Sequence, residues 1–586
     1  MYILGISCYY HDASAALLKD GVIVSAVEEE RFTRKKHDNA FPINAINYCL
    51  KSQDITVDQL DYIGFYEKPF LKFERILYQH IDTFPKSLKT FLSAMPSWLN
   101  EKLRVMKQIR KTLKFRGEVL FVPHHLAHAA SCFLVSPFDN AAIVTIDGVG
   151  EWATTTYGIG DDNKISLLKE IHFPSSIGLL YSTITAYLGF SVNNSEYKVM
   201  GLSPYGNMDK KTNPYYAKLK QIIDLKDDGS FRLNIRYFKY HYTNRMPSKA
   251  LCTLLNGHIR KPESALTQRH KDIAAALQLV TEEILITILC QVHKVTGSEN
   301  IVLAGGVALN SVFNGKILKK TPFKQVWIQP NASDGGTSIG VISYIYHTLL
   351  GNKRTYHMQN AYLGPSFSKA YIKEFLDQNN IHYREIVNEQ ELTNTVAKLI
   401  YSNKVVGWFQ GRMEWGPRAL GARSILANPC NQQAKKLLNT KVKHREQFRP
   451  FAPVVCKDDA NIYFECDTPL PESTDFMLMV YPIRESWKKR IPSVTHVDGT
   501  GRLQTIGYDQ NPNYYNLIKA FGKLSSIPIL INTSFNIRGE PIVCTPYDAY
   551  RCMMGTGIDY LIMDKFLIKR SDNLQHAWDS EKEAKD

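Results

Sequence analysis

Three times along this chain a strand-like run breaks at a turn rich in Gly or small polar residues and then resumes or feeds a helix; no other feature limits the fold as much. The first case is Tyr2 to Ser7, the polar turn His11-Asp12-Ala13-Ser14, and the runs Ala15 to Leu18 and Val22 to Val27 around Lys19-Asp20-Gly21, a hairpin signal. The second is Ala141 to Gly158, with Asp147-Gly148 at its turn. The third is Asn300 to Asn314, where a strand enters Gly305-Gly306 ahead of a helix; the long apolar-periodic stretch Asp272 to Val295 precedes it. Strands alternating with helices in this way predict an α/β fold. No residue-level repeat or low-complexity tract is visible.

A chain of 586 residues allows two to four domains, and 44% hydrophobic with 22% charged residues is a globular composition. Gly351 to about Asn360 reads as a linker between a domain at 1–355 and a second α/β domain at 360–586. In the second domain the strand-like runs Val405 to Phe409, Pro453 to Cys456 and Ile527 to Ile531 accompany helices such as Glu391 to Tyr401. Two insertions are expected in the first domain, at about 68–116 and 207–250, and are expected to shape an acceptor pocket. No run of about 18 apolar residues occurs, so no spanning helix and no membrane partner are expected. The start lacks the marks of a signal peptide, and the ten scattered cysteines contain no Cys-x-x-Cys pair, which together predict reduced thiols and a cytoplasmic setting.

The net charge of +15 raises the question of nucleic acid, yet much of it is local: between Lys68 and Arg116 there are twelve Lys or Arg and three Asp or Glu. From Ser97 onward the spacing predicts one amphipathic helix with a stripe of Leu99, Leu103, Met106, Ile109 and Leu113, its cations Arg104, Lys107, Lys111 and Lys114 mainly off the stripe. The leading reading is the solvated face of a packed insertion; docking of an anionic partner and attachment to a membrane surface are the alternatives. No RNA-binding module is recognisable, so nucleic acid is not expected as a partner.

His124 and His128 lie four apart at a predicted helix start, which places both rings on one face one turn apart, as a shared metal ion requires. Asp147 and Asp334, each beside glycine in a turn, are candidates to complete the set. The turns at Gly148 and at Gly305-Gly306, followed by Asn310, can aim backbone N–H groups at anionic oxygens; each taken alone reads equally as a tight turn. Farther on, Gly411-Arg412-Met413-Glu414-Trp415-Gly416-Pro417-Arg418-Ala419-Leu420-Gly421-Ala422-Arg423-Ser424 holds three arginines, and Lys443, Arg449, Arg502, Ser534 and Asn536 follow. Such cations with Ser and Asn suit phosphate and carboxylate oxygens; surface salt bridges to Glu414 and Glu446 are the plain alternative.

The stretches Tyr10-His11-Asp12-Ala13-Ser14-Ala15-Ala16-Leu17, Glu28 to His37, His124 to His128, Glu196-Tyr197-Lys198-Val199-Met200-Gly201-Leu202 and Gly305-Gly306-Val307-Ala308-Leu309-Asn310 resemble the carbamoyltransferases of the nodulation and antibiotic-tailoring type. The resemblance runs nearly end to end. It implies a two-lobed actin-like ATPase (RNase H-like) domain followed by a carbamoyl-adenylate-forming (YrdC-like) domain similar to one found in tRNA-modification enzymes. It further implies ATP and carbamoyl phosphate as substrates, and a divalent metal on His124, His128, Asp147 and Asp334. Iron(II) is favoured there, manganese and zinc fit the same ligands, and magnesium is a further candidate ion. His11 would be the general base toward an acceptor hydroxyl or amine on a small molecule, with Lys36 holding phosphate or the leaving group. Carbamoyl adenylate would form among Arg412, Arg418, Lys443, Arg449, Arg502, Ser534 and Asn536 and pass internally to the first domain. A tRNA-carbamoylating enzyme and an actin-like kinase are the competing functions, and a homodimer is the default assembly.

Overall fold

The structure is a computed structural model that describes residues 1–580; the last positions of the expected 360–586 domain lie outside the described residues. The chain divides into two compact units. The front unit comprises Met1–Glu29, Asn39–Asn310 and Lys316–Met358, and the back unit comprises Glu30–Asp38, Ser311–Gly315 and Gln359–Asp586.

The front unit contains two five-stranded sheets of the same strand order. In the first, Tyr2–Ser7 is central: Ser14–Lys19 and then Val22–Glu28 pair antiparallel on one side, and Tyr62–Phe65 and then Glu118–Phe121 pair parallel on the other. In the second, Asn140–Ile146 is central, with Ala153–Asp161 and Lys164–His172 antiparallel on one side and Asn300–Ala304 and Gln325–Ile328 parallel on the other. The pattern is therefore repeated after all, in strand order rather than in residues. Two mixed sheets of this order are what a two-lobed α/β domain requires.

Helix Thr337–Ser343 packs on the first sheet, helix His124–Phe133 packs on the second, and the two helices pack on each other. Glycines permit this stacking. A Cβ on Gly340 would stand 1.8 Å from the Ala127 carbonyl oxygen, and one on Gly5 would stand 2.1 Å from that of Ser338. Any side chain at either position would force the layers apart. The close approach brings the first turn of one helix beside the turn that precedes the other.

Helix Gln268–Thr296 is long and apolar enough by composition to cross a membrane, but its most apolar window is 78% buried within the protein, as a core helix is. The single helix predicted from Ser97 onward is in fact two, Leu88–Asn100 and Val105–Leu113, separated by a 3-10 turn at Lys102–Arg104. That break resets the helical phase. Val105, Ile109 and Leu113 are buried, whereas Leu99 and Met106 of the expected stripe are exposed.

The back unit is built on a nine-stranded mixed sheet whose centre runs Val406–Phe409, Arg423–Ala427, Ile529–Ser534, Ala452–Cys456 and Thr500–Ile506. Helices Glu389–Tyr401 and Pro512–Ser525 pack on each other and against one face, where Val396, Ile400, Trp408, Val454, Leu517, Phe521 and Leu530 form the core. Segment Glu30–Asp38, read from sequence as part of the first domain, is built into this unit: Arg31 donates to the Gly416 carbonyl at 2.9 Å, and Arg34 donates to the carbonyls of Ile542 and Pro541 at 2.7 and 2.8 Å.

Candidate functional site

In the front unit, helix His124–Phe133 begins at the first metal-ligand candidate, and its N-terminus is closed by Glu151, whose carboxylate accepts from the His124 backbone N–H at 3.0 Å and from that of Lys68 at 2.8 Å. A carboxylate there satisfies otherwise unpaired donors and favours the positive end of the helix. Asp147 follows the central strand Asn140–Ile146, and Asp334 starts the turn before helix Thr337–Ser343, with its own carbonyl accepting from Ser7 Oγ at 3.0 Å.

These elements gather His124, His128, Asp147 and Asp334, all buried, so that one ligand atom from each lies within 4.8 Å of the others. His124 Nε2 is 3.2 Å from Asp147 Oδ2, and His128 Nε2 is 3.6 Å from Asp334 Oδ1. Neither ring nitrogen of His128, nor His124 Nδ1, nor Asp334 Oδ2 has a hydrogen-bond partner. Each such buried orphan costs on the order of 1–3 kcal/mol unless something fills the cluster. Burial works against a charged His124, but the Asp147 hydrogen bond and the Asp334 charge outweigh it and hold the ring up at about 9. Burial likewise opposes ionised Asp147, yet the bond to His124 and the charge of His128 keep its carboxyl well below the usual range. The set thus collects positive charge, and two imidazoles with two carboxylates fit a divalent cation of the iron, manganese or zinc kind.

Around the cluster the glycines serve different ends. Gly306 N–H donates to Asp147 Oδ1 at 3.0 Å, and Gly305, at φ +90°, lies where a Cβ would be 2.3 Å from the Ile146 carbonyl oxygen. A Cβ on Gly148 would meet nothing closer than Leu179 at 3.9 Å, while its carbonyl accepts from Ser176 Oγ at 2.8 Å. Asn310 is not aimed outward. Its amide exchanges hydrogen bonds of 3.0 and 3.2 Å with Gln278 of the long core helix.

His11 departs from the role expected of it. Its Nδ1 is 2.7 Å from Asp12 Oδ2 and its Nε2 is 2.7 Å from the Asn193 carbonyl oxygen. Both partners accept only, so both ring nitrogens carry protons. Burial lowers the ring's pKa, but the Asp12 charge and hydrogen bond prevail and raise it to about 10. The general-base role expected of His11 would require one ring nitrogen to give up its present partner and its proton first.

In the back unit, the face that packs the two helices turns polar toward one end of its strands. Asn532 Nδ2 donates to the Ala419 carbonyl at 2.9 Å and contacts Gln504 Oε1, while Gln504 Nε2 donates to the Leu420 carbonyl at 2.9 Å. Residues two apart on a strand share a face, so Arg502 and Ser534 lie on the same face as Gln504 and Asn532. The Arg418 backbone is pinned beside them through Ala419 and Leu420. Glu414, buried, fixes that loop by accepting from the N–H groups of Leu420, Ala422 and Arg423 at 2.8, 2.6 and 3.0 Å.

Lys443 Nζ reaches the Ser534 carbonyl, Asn536 Oδ1 at 2.7 Å and the Asn536 carbonyl at 3.0 Å, so three expected residues form one cluster. Burial first, then Arg445, pushes Lys443 well below the usual lysine range, with Arg449 and Lys36 adding to the effect. Lys36, assigned to the back unit, is thus one of the cations that act on Lys443. Arg449 itself faces Glu446 at 3.7 Å.

The three arginines of the 411–424 run divide. Arg412 donates to the carbonyls of Leu363 and Gly364 at 2.6 and 3.3 Å, and Arg423 donates to those of Gln410, Gly411, Ala422 and Pro365 while lying 3.6 Å over the Phe409 ring. Both hold backbone together, and the ligand-binding role expected of Arg412 would require it to release these carbonyls. Glu151 and Gln278 were not anticipated, and Glu414, read from sequence as a surface salt-bridge partner, is buried and holds backbone instead. A polar residue within an apolar run was the available signal for Gln278.

A family profile described as the carbamoyltransferase N-terminus matches residues 2–342, and one described as the carbamoyltransferase C-terminus matches residues 397–570. An uncharacterized protein of Synechocystis sp. is 45% identical over 99% of this chain and 98% of its own length. The nodulation protein NolNO of Sinorhizobium fredii is 36% identical over 97% of this chain and 80% of its own length. Among solved structures, HypF of T. kodakarensis aligns over 60% of this chain and 48% of its own at 14% identity and a TM-score of 0.32, a likeness too slight to assign anything here.

Proposed function

Because the chain belongs to the carbamoyltransferase family and is an enzyme of that kind, we propose that it transfers the carbamoyl group of carbamoyl phosphate, by way of a carbamoyl adenylate made from ATP, to a hydroxyl or amine of a small-molecule natural product or sugar. The observation that carries this reading is the buried His124–His128–Asp147–Asp334 cluster with its orphaned polar atoms.

The first half-reaction is assigned to the back unit. A water oxygen bonds to the phosphorus of carbamoyl phosphate and the bond from phosphorus to the carbamate oxygen breaks, releasing phosphate and carbamate; a carbamate oxygen then bonds to the α-phosphorus of ATP, and the bond to pyrophosphate breaks. Arg418, Arg502 and Lys443 offer cations on or beside the polar end of one sheet face, where charge builds on phosphate oxygens during such displacement. With its proton affinity lowered by burial, Lys443 also holds the Ser534–Asn536 turn in place.

The second half-reaction is assigned to the front unit. The acceptor oxygen or nitrogen bonds to the carbamoyl carbon, the bond to AMP oxygen breaks, and the acceptor proton leaves to solvent. His124, His128, Asp147 and Asp334 would hold the metal, iron(II) by preference, which when bound supplies positive charge near phosphate and acceptor oxygens. The backbone at Gly148 and Gly306 lines the approach for anionic oxygens. His11, protonated on both nitrogens, serves as a donor. When Nε2 exchanges the Asn193 carbonyl for a substrate oxygen, it offers that oxygen a charged hydrogen bond.

The test is to incubate the protein with ATP, carbamoyl phosphate and a panel of hydroxyl- and amine-bearing acceptors, and to follow products by mass spectrometry. Pyrophosphate, AMP and a carbamoylated acceptor are expected. Formation of ADP without pyrophosphate would replace this reading with a kinase.

A further inference from the structure

Helix Pro69–Thr83 is turned inside out. Its buried side chains include Lys72 and Arg75, while Phe70, Leu77 and Ile81, spaced on one helical face, are 72%, 40% and 67% exposed. The orientation is locked rather than incidental. Lys72 Nζ meets Glu67 Oε2 at 2.5 Å inside the unit and lies 4.4 Å over the Tyr10 ring, and Gln79 donates to the His241 carbonyl at 2.6 Å. Rotating the helix to bury its apolar side would break this ion pair. The next helix, Leu88–Asn100, buries Trp98 yet leaves Leu92 and Leu99 61% and 51% exposed, and Phe84 between the helices is 62% exposed.

Ten of the twenty-nine exposed large apolar side chains among the described residues fall between Phe70 and Met106, a density that ordinary surface scatter does not produce. Across 68–116 the chain carries the charge excess noted above, twelve cations against three acids: Lys86 and Lys89 stand exposed where the two helices join, matched in number by Glu74 and Asp82, and the excess comes from Arg104, Lys107, Arg110, Lys111 and Lys114, exposed on the helix Val105–Leu113 and beside it. A second copy docked through this face would set like charge against like charge, and a neutral apolar partner would leave the cations unanswered. An anionic bilayer answers both features, because the Phe, Leu and Ile side chains enter the acyl boundary while lysines meet the headgroups.

We propose that the helical insertion 68–116, apolar side chains and cations together, is a peripheral docking surface for anionic lipid bilayers. The expectation of no membrane partner rested on the lack of a spanning run, which does not bear on attachment from one side.

The test is co-sedimentation of the full chain with phosphatidylcholine vesicles with and without phosphatidylglycerol, compared with the triple variant Phe70→Ser, Ile81→Ser, Leu92→Ser. All three positions are exposed, so unchanged thermal unfolding will show that the variant is folded. The wild type is expected to pellet with the anionic vesicles only, less so at high salt, and the variant at least about tenfold more weakly. No pelleting with either vesicle overturns the proposal, as does equal pelleting on phosphatidylcholine alone. A wild-type dimer in sedimentation that the triple variant abolishes would instead assign the face to a second copy of the chain.

Discussion

In the front unit, two carboxylates and two imidazoles converge in the interior with acceptor atoms left over; in the back unit, Arg418, Arg502 and Lys443 bring cations to or beside one end of a sheet face. Buried polar atoms left over favour a bound cation in the first, and a concentration of guanidinium and ammonium groups favours anionic oxygens in the second. That contrast underlies the proposed division of labour, which is separable by mutation.

The largest effect is expected at the front cluster. The double variant His124→Ala, His128→Ala should reduce bound transition metal, measured by mass spectrometry of the purified protein, from about one ion per chain to near none. Carbamoyl transfer should vanish while ATP–pyrophosphate exchange persists. Unchanged metal content would dissolve the front half of the contrast. Next in size, Arg418→Ala should slow carbamate-dependent pyrophosphate release by about a hundred- to a thousandfold with metal content untouched. Normal release would leave the back unit's polar face without the assigned task.

Much of this contrast was readable in residue order, and where it was not, the reason is physical. The four-residue spacing of His124 and His128 survives directly in the structure because a helix preserves local spacing. Asp334 could be proposed from its glycine-flanked turn, but its approach to His128 depends on Gly340 and Gly5, whose packing partners lie far away in sequence. Segment Glu30–Asp38 was read with the first domain because the chain crosses from one unit to the other at Glu30 and back at Asp38, a topology that no local pattern announces. The helix expected to run on from Ser97 failed at Lys102–Arg104, where apolar spacing alone does not reveal a change of phase.

His11 sharpens the comparison on a smaller scale, since it is a cation in the unit that otherwise gathers carboxylates. Its pKa, raised to about 10 from near 6.5, means that the His11–Asp12 pair stabilises the fold fully below about pH 6.5 and loses that contribution as pH rises through 10. The stability gap between wild type and Asp12→Asn, measured by urea unfolding, should therefore be widest at pH 6 and shrink toward pH 10. A gap that widens with rising pH would show that the ring is neutral at rest. In the transfer reaction, His11→Asn should cost about a hundredfold while pyrophosphate release continues. A donor role also requires the wild-type rate to fall as pH approaches 10, whereas a base would gain activity over the same range.

The smallest expected effect separates two arginines of one sequence run. Arg412 is committed to the carbonyls of Leu363 and Gly364, so Arg412→Ala should act on stability, by about 1–3 kcal/mol, through acceptors left without their donor. Its rate per folded molecule should stay within a few-fold of wild type, in contrast to Arg418→Ala. Both variants are to be compared by urea unfolding and by pyrophosphate release corrected for the folded fraction. If Arg412→Ala unfolds like wild type yet releases pyrophosphate as slowly as Arg418→Ala, the guanidinium serves the ligand. The backbone contacts seen here would then exchange for substrate oxygens during the reaction.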